Sequence, residues 1–254
     1  MKKYVLILAA FIGLIFAGCS DSDNDNDNKE QEEKEQEEKE PEFTREFTVN
    51  GVSFKMLPVE GGTFMMGATE EQLNKFGEPW NEKELPVHQV TLSDFYMAET
   101  EVTRGLWKAV MGSDVDDQNI DPSIPVTNVA IKDIIEKFLP KLNELTGEQF
   151  MLPTEAQWEF AARGGNKSQH YIYSGSNDPG KIAVYYFNKG DRLDWPHAVK
   201  SMKPNELGIY DMSGNASELC RSYLGNYTEE PLVDPELPLS DDAYVIRGGH
   251  CLSI

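Results

Sequence analysis

Glycine, proline and asparagine divide residues 43–254 into short apolar stretches, and this division limits the possible folds more than any other feature of the chain. The first stretches, Phe47 to Val49 and Val52 to Phe54, flank Asn50-Gly51, a dipeptide that is the strongest short-range signal of a β-hairpin. Similar stretches bounded by turn-forming residues continue to Met97. The sequence therefore predicts one loop-rich α+β domain over residues 43–254, with short strands and few helices.

Two segments carry the signals of amphipathic helices. Thr103 is a suitable N-cap for a helix that ends at Gly112. A longer pattern of apolar residues at helical spacing runs from Ile131 to Leu145. Pro140 should kink or break this second helix, because proline lacks an amide hydrogen and clashes with the carbonyl four residues earlier.

A third helix has the clearest boundaries, because Thr154 and Gln157 form a capping box and Gly164-Gly165 ends the helical pattern. Its large and charged side chains are expected to hold structure, since buried charges normally persist only when they are paired. The expected core anchors are Trp158 and Phe160, and the expected internal ion pair joins Arg163 to Glu155 or Glu159.

The first 19 residues have the pattern of a bacterial lipoprotein signal peptide. Two lysines precede an apolar run from Tyr4 to Ala17, which is too short to span a bilayer comfortably as a permanent helix. The run ends in Ala17-Gly18-Cys19, which resembles a lipobox, so Cys19 is expected to carry the lipid and to become the mature N-terminus. Acyl chains such as palmitate would then hold the protein in the membrane. The alternative is a secretory peptide cut near Ala17, with Cys19 incidental.

Residues 20–42 are strongly acidic and contain no hydrophobic side chain. Such a segment cannot bury enough surface to offset its ordering entropy, so it is predicted to be a disordered spacer, partly helical at most. An acidic stretch straight after a lipidated cysteine resembles the export signal of surface lipoproteins in Bacteroidetes-like bacteria. We therefore expect an outer-membrane lipoprotein that faces either the periplasm or the cell surface.

The whole chain has a formal net charge of −21, and its globular part contains no cluster of lysine and arginine. Phosphate binding requires such a cluster to displace counterions. A nucleic-acid partner is therefore not expected.

Six motifs follow one another through the globular part. They are Val59 to Gly67, Pro86 to Thr103, Pro125 to Val129, Leu152 to Gly165, Lys203 to Asn215, and Arg247 to Gly249. In this order they resemble the formylglycine-generating enzyme, or sulfatase-modifying factor, family. The resemblance implies a C-type-lectin-like fold with twisted antiparallel strands, a few flanking helices and many long loops.

The resemblance also implies a calcium site between Asp211 and Glu218. Their carboxylates, with the carbonyls of Gly214 and Ala216, supply the hard oxygen ligands that calcium prefers. The alternative is a tight turn in which Asp and Asn side chains bond only to local backbone. The family usually reads GNVWEW here, and this chain lacks both tryptophans, so the adjoining wall of the cleft is expected to differ.

Members of the family oxidise a substrate cysteine with a copper(I) ion held by two cysteines, soft ligands that suit this ion. These cysteines lie five residues apart, just after the Arg-Gly-Gly motif. By this spacing the first position falls at Ser253 and the second beyond residue 254, and Cys251 is two residues early. No catalytic residue is therefore assigned, and copper is expected only if a longer native chain supplies the pair. Cys220 and Cys251 are candidates for a disulfide, for two free thiols or, less favourably, for a copper pair.

Three functions stay open at this point. The first is a membrane-anchored, non-catalytic binding or scaffold module, and the second is a displayed lectin-like protein; both imply an unidentified protein or glycan ligand. The third is a formylglycine-generating oxidase whose catalytic end lies outside this sequence. The four histidines offer no H-x-x-x-H-x-E iron site, and the chain has no nucleophile elbow, P-loop or zinc-type cysteine pairs.

Overall fold

The computed structural model describes residues 4–7, 43–69, 72–74, 84–116, 120–185, 196–221, 227–236 and 244–250. The predicted lipidation site Cys19, the acidic spacer and Cys251 lie outside these ranges. The assignments made for these segments therefore stay predictions.

The described residues contain ten strands in three sheets. The strands are β1 Tyr4–Ile7, β2 Arg45–Val49, β3 Val52–Val59, β4 Gly62–Met66, β5 His88–Leu92, β6 Phe95–Glu101, β7 Phe150–Met151, β8 Glu218–Cys220, β9 Leu232–Val233 and β10 Val245–Arg247. The largest sheet has the order β2-β3-β6-β1-β7, and the smaller sheets have the orders β4-β5-β9 and β10-β8. Most of the pairs are antiparallel, as the sequence predicts.

The predicted hairpin joins β2 to β3. Val49 pairs with Val52, and Asn50 and Gly51 both have positive φ values, 47° and 86°. Positive φ at both central residues is the mark of a type I′ turn, whose twist matches that of the flanking strands. The local sequence signal is therefore confirmed.

Strand β1 lies inside the largest sheet and pairs parallel with β6 and β7. Tyr4 is opposite Tyr96 on one side and Phe150 on the other. Tyr4, Val5 and Leu6 are at most 1% exposed. Four residues of the apolar run that has the pattern of a signal peptide thus form a core strand, since a short apolar run suits a fully buried strand equally well.

The first helix, α1, is Arg104–Met111 and has the predicted ends. The Thr103 hydroxyl accepts a hydrogen bond from the Leu106 amide, which would otherwise lack a partner in the first turn. Gly112 ends the helix in the left-handed conformation, with φ of 86°.

The second helical segment passes Pro140 without ending. It consists of α2 Ile131–Asp133, a π-helical turn at Ile134–Phe138, and α3 Leu139–Thr146. The Leu139 amide bonds to the carbonyl of Ile134, five residues back. The chain therefore accommodates the proline by widening the preceding turn, as in other π-bulges.

The third helix, α4, is Glu155–Ala162 and begins with the predicted capping box at Thr154. Trp158 and Phe160 are 6% and 2% exposed, so both are core anchors as expected. A short helix α5 follows at Pro179–Ile182. None of the described helices combines the length and apolar character needed to cross a membrane.

Candidate functional site

Two sequence motifs meet beside α4. The Gly214 amide donates to the Gly248 carbonyl at 2.8 Å, and the Ser217 hydroxyl donates to the Gly249 carbonyl at 2.9 Å. Gly214 has φ of 85°, and a Cβ atom there would lie 2.4 Å from the Val184 carbonyl oxygen. Only glycine fits this position, which packs closely on Val184. The hydrogen bonds to Gly248 and Gly249 join the Asp211–Glu218 segment to the Arg-Gly-Gly motif.

Three carboxylates are buried at this junction. Asp211 and Glu218 are 3% and 0% exposed, and Glu101, at the end of β6, is 1% exposed. Burial raises the pKa of all three carboxyls, and the charges of Asp211 and Glu218 raise the pKa of Glu101 further. The sequence analysis did not assign Glu101 to this site, because Glu101 ends a strand that already contains Glu99 and Thr100 and does not stand out there.

Few donors face these carboxylates. The Trp158 indole donates to Glu218 Oε2 at 2.5 Å, and the Lys200 amide donates to Asp211 Oδ2 at 2.9 Å. Within the described part of the chain, no N–H or O–H donor faces the second oxygens of Asp211 and Glu218 or either oxygen of Glu101. Glu101 and Asp211 can hydrogen-bond to each other when one of the two carboxyls is protonated. Ionised carboxylates offer no donor to one another, so a proton or a cation is needed to stabilise the cluster.

The four residues predicted to hold calcium all lie at this junction and are buried. Asp211 and Glu218 each keep an oxygen that no N–H or O–H donor of the described residues faces, and hard oxygen donors fit the chemistry of calcium. Among the described residues, no set of three or more His, Cys, Asp and Glu side chains is arranged to hold a metal. A cation here would therefore also depend on the carbonyls of Gly214 and Ala216, and the site stays a prediction.

Arg247 lies at the centre of a second network of charged side chains. Its guanidinium lies 2.5 Å from Glu84, 2.6 Å from Glu159 and 3.5 Å from Glu155. Burial lowers the pKa of Arg247, but the three carboxylates outweigh burial and raise it. The guanidinium also lies over the Trp158 ring, 5.5 Å from its centroid. These contacts give the Arg-Gly-Gly motif a structural role that the sequence analysis did not assign.

Of the two ion pairs predicted for Arg163, with Glu155 or with Glu159, the structure contains the second. Arg163 pairs with Glu159 at 2.7 Å and donates to the Gly67 carbonyl at 2.5 Å. Glu155, the other predicted partner, faces Arg247 instead. Glu159 thus joins the two arginines to the loop that follows β4.

A cleft of about 180 Å³ opens above these networks. Its lining combines aromatic and hydroxyl groups with the paired charges, and Tyr171 in this lining is 37% exposed. Its lining includes Tyr171, Ile172, Tyr173, Ser174, Trp158, Met212, Ser213, Glu84, Glu159, Arg163 and Arg247. Polar and charged groups make up more of this lining than apolar groups do, so a ligand here would be recognised largely through hydrogen bonds and charge.

The model of the sulfatase-modifying factor enzyme 1-like domain matches residues 48–254. The chain belongs to this family. The chaperone protein LppX of Paenibacillus barcinonensis is 33% identical to it over 216 residues, which cover 66% of this chain and 71% of that protein. The formylglycine-generating enzyme of Streptomyces coelicolor is 37% identical over 112 residues, which cover 40% of this chain and 36% of the enzyme.

Treponema denticola variable protein 1 has a similar solved structure, with a TM-score of 0.70 at 26% identity. The match covers 84% of this chain and 90% of that chain. The family and the α+β, C-type-lectin-like fold predicted from the six motifs are therefore confirmed.

The thiol chemistry of the family's oxidases has no counterpart at Cys220. This residue has no disulfide partner among the described residues and is 0% exposed, and burial raises the pKa of its thiol well above the usual value. Metal ligation and nucleophilic attack both require the thiolate, which this environment disfavours. The disulfide predicted between Cys220 and Cys251 involves a residue outside the described ranges and stays a prediction.

His88 is the one histidine that lies in the core of the described part. It is 2% exposed, its Nδ1 atom lies 3.2 Å from the Pro86 carbonyl, and its ring meets Tyr227 edge-on at 4.7 Å. These contacts are those of a core histidine that holds structure.

Proposed function

We propose that the protein is a membrane-anchored lipoprotein whose sulfatase-modifying-factor-like domain is a non-catalytic binding or scaffold module. One observation carries the proposal: the ionisable groups of the cleft, from Arg247 to Arg163, are committed to partly buried ion pairs. Groups held in this way rigidify a binding surface but are poorly placed to exchange protons. The lipid is placed on Cys19, and attachment to the outer membrane follows from the acidic spacer.

A protein segment is the ligand that we favour for the cleft. Tyr171 and Tyr173 offer aromatic faces, and Ser174 and Ser213 offer hydroxyls, a combination typical of surfaces that bind polypeptides. The relative LppX is named a chaperone protein, which agrees with a role in holding another polypeptide. A glycan is the alternative ligand.

The second candidate function is that of a formylglycine-generating oxidase. The 37% identity to the Streptomyces coelicolor enzyme favours it, although the match covers 36% of that enzyme. Copper would require two exposed thiolates, and Cys220 is unsuited because it is fully buried. Activity would thus depend on cysteines outside the described residues.

We also propose that calcium binds at the Asp211–Glu218 segment as a structural ion. Support comes from the buried carboxylate oxygens that no N–H or O–H donor of the described residues faces and from the nearby carbonyls of Gly214 and Ala216. The ion would tie this segment to Trp158 through Glu218. It would hold the wall of the cleft and take no part in chemistry.

A photo-crosslinking experiment separates the candidate functions. A benzophenone amino acid replaces Tyr171 in the lining of the cleft or, as a matched control, Phe43, which is 68% exposed. Irradiation of cells should give protein adducts at position 171 and few at position 43, and mass spectrometry identifies the partner.

Two further assays decide between the alternatives. If position 171 gives no protein adduct but the purified chain binds a glycan array, the lectin-like function replaces the proposed one. If the purified protein with copper(I) and oxygen converts a cysteine in a sulfatase peptide to formylglycine, the oxidase function replaces it.

A further inference from the structure

Many of the polar groups in the cleft are bonded to one another. Arg163 and Arg247 both pair with Glu159, at 2.7 and 2.6 Å. The Gln72 side-chain amide donates to the Ile172 carbonyl at 3.4 Å. A ligand that competes for these groups must break existing bonds, so its recognition depends on the hydrogen-bonding groups that are left over.

Ser174 and Ser213 each leave a hydroxyl hydrogen over. The Asn205 side-chain amide donates to the Ser174 hydroxyl oxygen at 3.0 Å, and the Ser174 backbone amide donates to the Ser213 hydroxyl oxygen at 3.1 Å. Both oxygens thus act as acceptors, while each hydroxyl also carries one donor hydrogen. No group in the described part of the chain accepts either hydrogen. Both serines line the cleft, so its wall presents two O–H donors.

Asn205 holds the first of these donors in place. Its side-chain nitrogen donates to the Ala161 carbonyl at 2.8 Å as well as to Ser174, and its side-chain oxygen accepts from the amides of Leu207 and Ile209. Asn205 and Ser174 are 6% and 8% exposed. Both side chains are therefore ordered before a ligand arrives, which lowers the entropic cost of binding.

A neutral oxygen acceptor suits these donors better than a charged group does. An ammonium or guanidinium group accepts no hydrogen bond. A carboxylate would lie near Glu84 and Glu159, and the arginines that counter them, Arg163 and Arg247, are already paired. The oxygen of a carbonyl has two lone pairs, one for each hydroxyl, and adds no charge.

Glu84 offers the complementary acceptor. Its Oε1 atom accepts from Arg247, and its side chain is 31% exposed in the same cleft. An ionised carboxylate has about four lone-pair sites, so Glu84 can accept a further N–H. A carboxamide combines a carbonyl oxygen with an NH2 group, and its flat shape can pack against the rings of Tyr171 and Tyr173.

The volume of the cleft suits a single side chain. An apolar cavity of about 150 Å³ holds one benzene molecule. The cleft, at about 180 Å³, has room for little more. Sites for whole small molecules measure about 300–1,000 Å³. An oligosaccharide therefore finds too little space, whereas one residue of a polypeptide fits.

We propose that the cleft binds the side-chain carboxamide of a glutamine or asparagine in a partner polypeptide. The carbonyl oxygen accepts hydrogen bonds from Ser174 and Ser213, and the NH2 group donates to Glu84. This assignment rests on the proposed function, a non-catalytic module that holds a polypeptide, and it adds the chemical class of the residue that is recognised.

Four short peptides test the assignment on the purified chain. One is acetyl-Gly-Ser-Gln-Ser-Gly-amide, and the other three have glutamic acid, lysine or methionine in place of the glutamine. Saturation-transfer NMR measures their dissociation constants into the millimolar range. The glutamine peptide should bind roughly tenfold or more tightly than the glutamic acid peptide, which has the same shape but adds a charge and lacks the NH2 group. The lysine and methionine peptides should also bind more weakly.

Matched variants of the chain locate the hydrogen bonds. Ser174→Ala and Ser213→Ala each remove one donor and should weaken binding of the glutamine peptide roughly three- to tenfold. Neither should change the affinity for the methionine peptide, so a lost hydrogen bond is distinguished from a distorted cleft. Ser53→Ala changes an exposed serine of β3 outside the cleft and should leave both affinities unchanged.

Equal affinity for the glutamine peptide and any of the other three would overturn the assignment. A loss in the serine variants that is the same for the glutamine and methionine peptides would also overturn it. In both cases a polypeptide still binds, so the proposed function stands. If no peptide binds, the assignment fails as well, and photo-crosslinking at position 171 decides the wider question: protein adducts there keep the binding function, and their absence removes it.

Discussion

Arg247 is the side chain on which the buried charges of the cleft depend. Its guanidinium contacts Glu84, Glu155 and Glu159, and its own side chain is 13% exposed. Without Arg247, Glu159 keeps its ion pair with Arg163, whereas Glu84 and Glu155 each lose their ion pair with Arg247. Removal of one member of a buried ion network costs more than the network itself contributes, because the other charges stay buried.

We predict that Arg247→Gln lowers the free energy of unfolding by about 3–5 kcal/mol. Urea denaturation followed by circular dichroism measures the change. The matched control is Lys132→Gln, which removes a charge from the exposed pair that Lys132 forms with Glu136 at 3.8 Å. This control should cost about 0.5 kcal/mol or less, and equal losses for the two variants would contradict the structural role of Arg247.

Glu155 should make the domain less stable as pH rises, because its carboxyl group has a raised pKa in the folded chain. Burial raises the pKa of its carboxyl, Arg247 lowers it in part, and Glu159 and Glu84 raise it, while Tyr227 also faces the group. The folded chain therefore holds this proton more tightly than the unfolded chain does. The stabilisation by the protonated carboxyl is complete below the pKa that Glu155 has in the unfolded chain. It is lost as pH rises through the higher pKa that Glu155 has in the folded chain.

Glu155→Gln removes this titration, so the variant should gain stability relative to the wild type as pH rises from about 4 to 7. Urea unfolding of both proteins at several pH values measures the difference. The exposed Glu60→Gln, in the loop before β4, is the control and should show no such trend. A stability difference that stays constant over this range would mean that the folded pKa of Glu155 is ordinary.

At the scale of elements, features set by neighbouring residues were predictable from the sequence. The type I′ turn at Asn50-Gly51, the cap at Thr103 and the capping box at Thr154 depend on contacts within a few residues. The response to Pro140 was predictable only in part. The sequence indicates a missing hydrogen bond there, but the packing of Phe138 against Trp107, with ring centroids 4.8 Å apart, helps to keep the helix continuous through a wide turn.

Features set by long-range contacts were not predictable in the same way. The apolar run at Tyr4 has the same composition in a signal peptide and in a buried strand, and only its pairing with β6 and β7 distinguishes the two. Glu101 lies far along the chain from Asp211 and Glu218, so no local pattern indicates that the three carboxylates meet. Motif order established the family, and the three-dimensional structure was needed to join the motifs.

The close approach of Gly214 to Val184 tests how firmly the loop that carries Gly214 is held at the junction. Gly214→Ala must place a methyl group 2.4 Å from the Val184 carbonyl oxygen, at φ of 85°. Gly112→Ala is the matched control, because Gly112 has φ of 86° but no atom within 4 Å of the added methyl. Both variants adopt the same unfavourable backbone conformation, so their difference isolates the steric clash.

We expect Gly112→Ala to cost about 1–2 kcal/mol of unfolding free energy, the usual penalty for a non-glycine residue in this conformation. Gly214→Ala should cost clearly more, because backbone must move to relieve the clash. Chemical denaturation measures both. Equal losses would show that the loop carrying Gly214 shifts freely and does not fix the junction.

At the scale of the whole molecule, the carboxylate cluster joins elements that are distant in the chain. Glu101 ends β6, Glu218 begins β8, and Trp158 in α4 bonds to Glu218. Each ionised carboxylate opposes folding here, since burial raises its pKa. A bound cation would reverse this effect at the point where sheet, helix and loop meet.

The calcium proposal therefore predicts a stability change of the entire domain. At a calcium concentration about 100-fold above the dissociation constant, the gain is roughly 2.7 kcal/mol, or roughly 5–10 °C in melting temperature for a domain of this size. Differential scanning calorimetry with chelator and then with calcium measures the shift for the wild type. Glu218→Gln should abolish most of it, whereas Glu60→Gln, which changes an exposed carboxylate outside the cluster, should preserve it. A wild-type melting temperature that is the same in chelator and in millimolar calcium would eliminate the site and leave a shared proton as the means by which Glu101 and Asp211 are buried together.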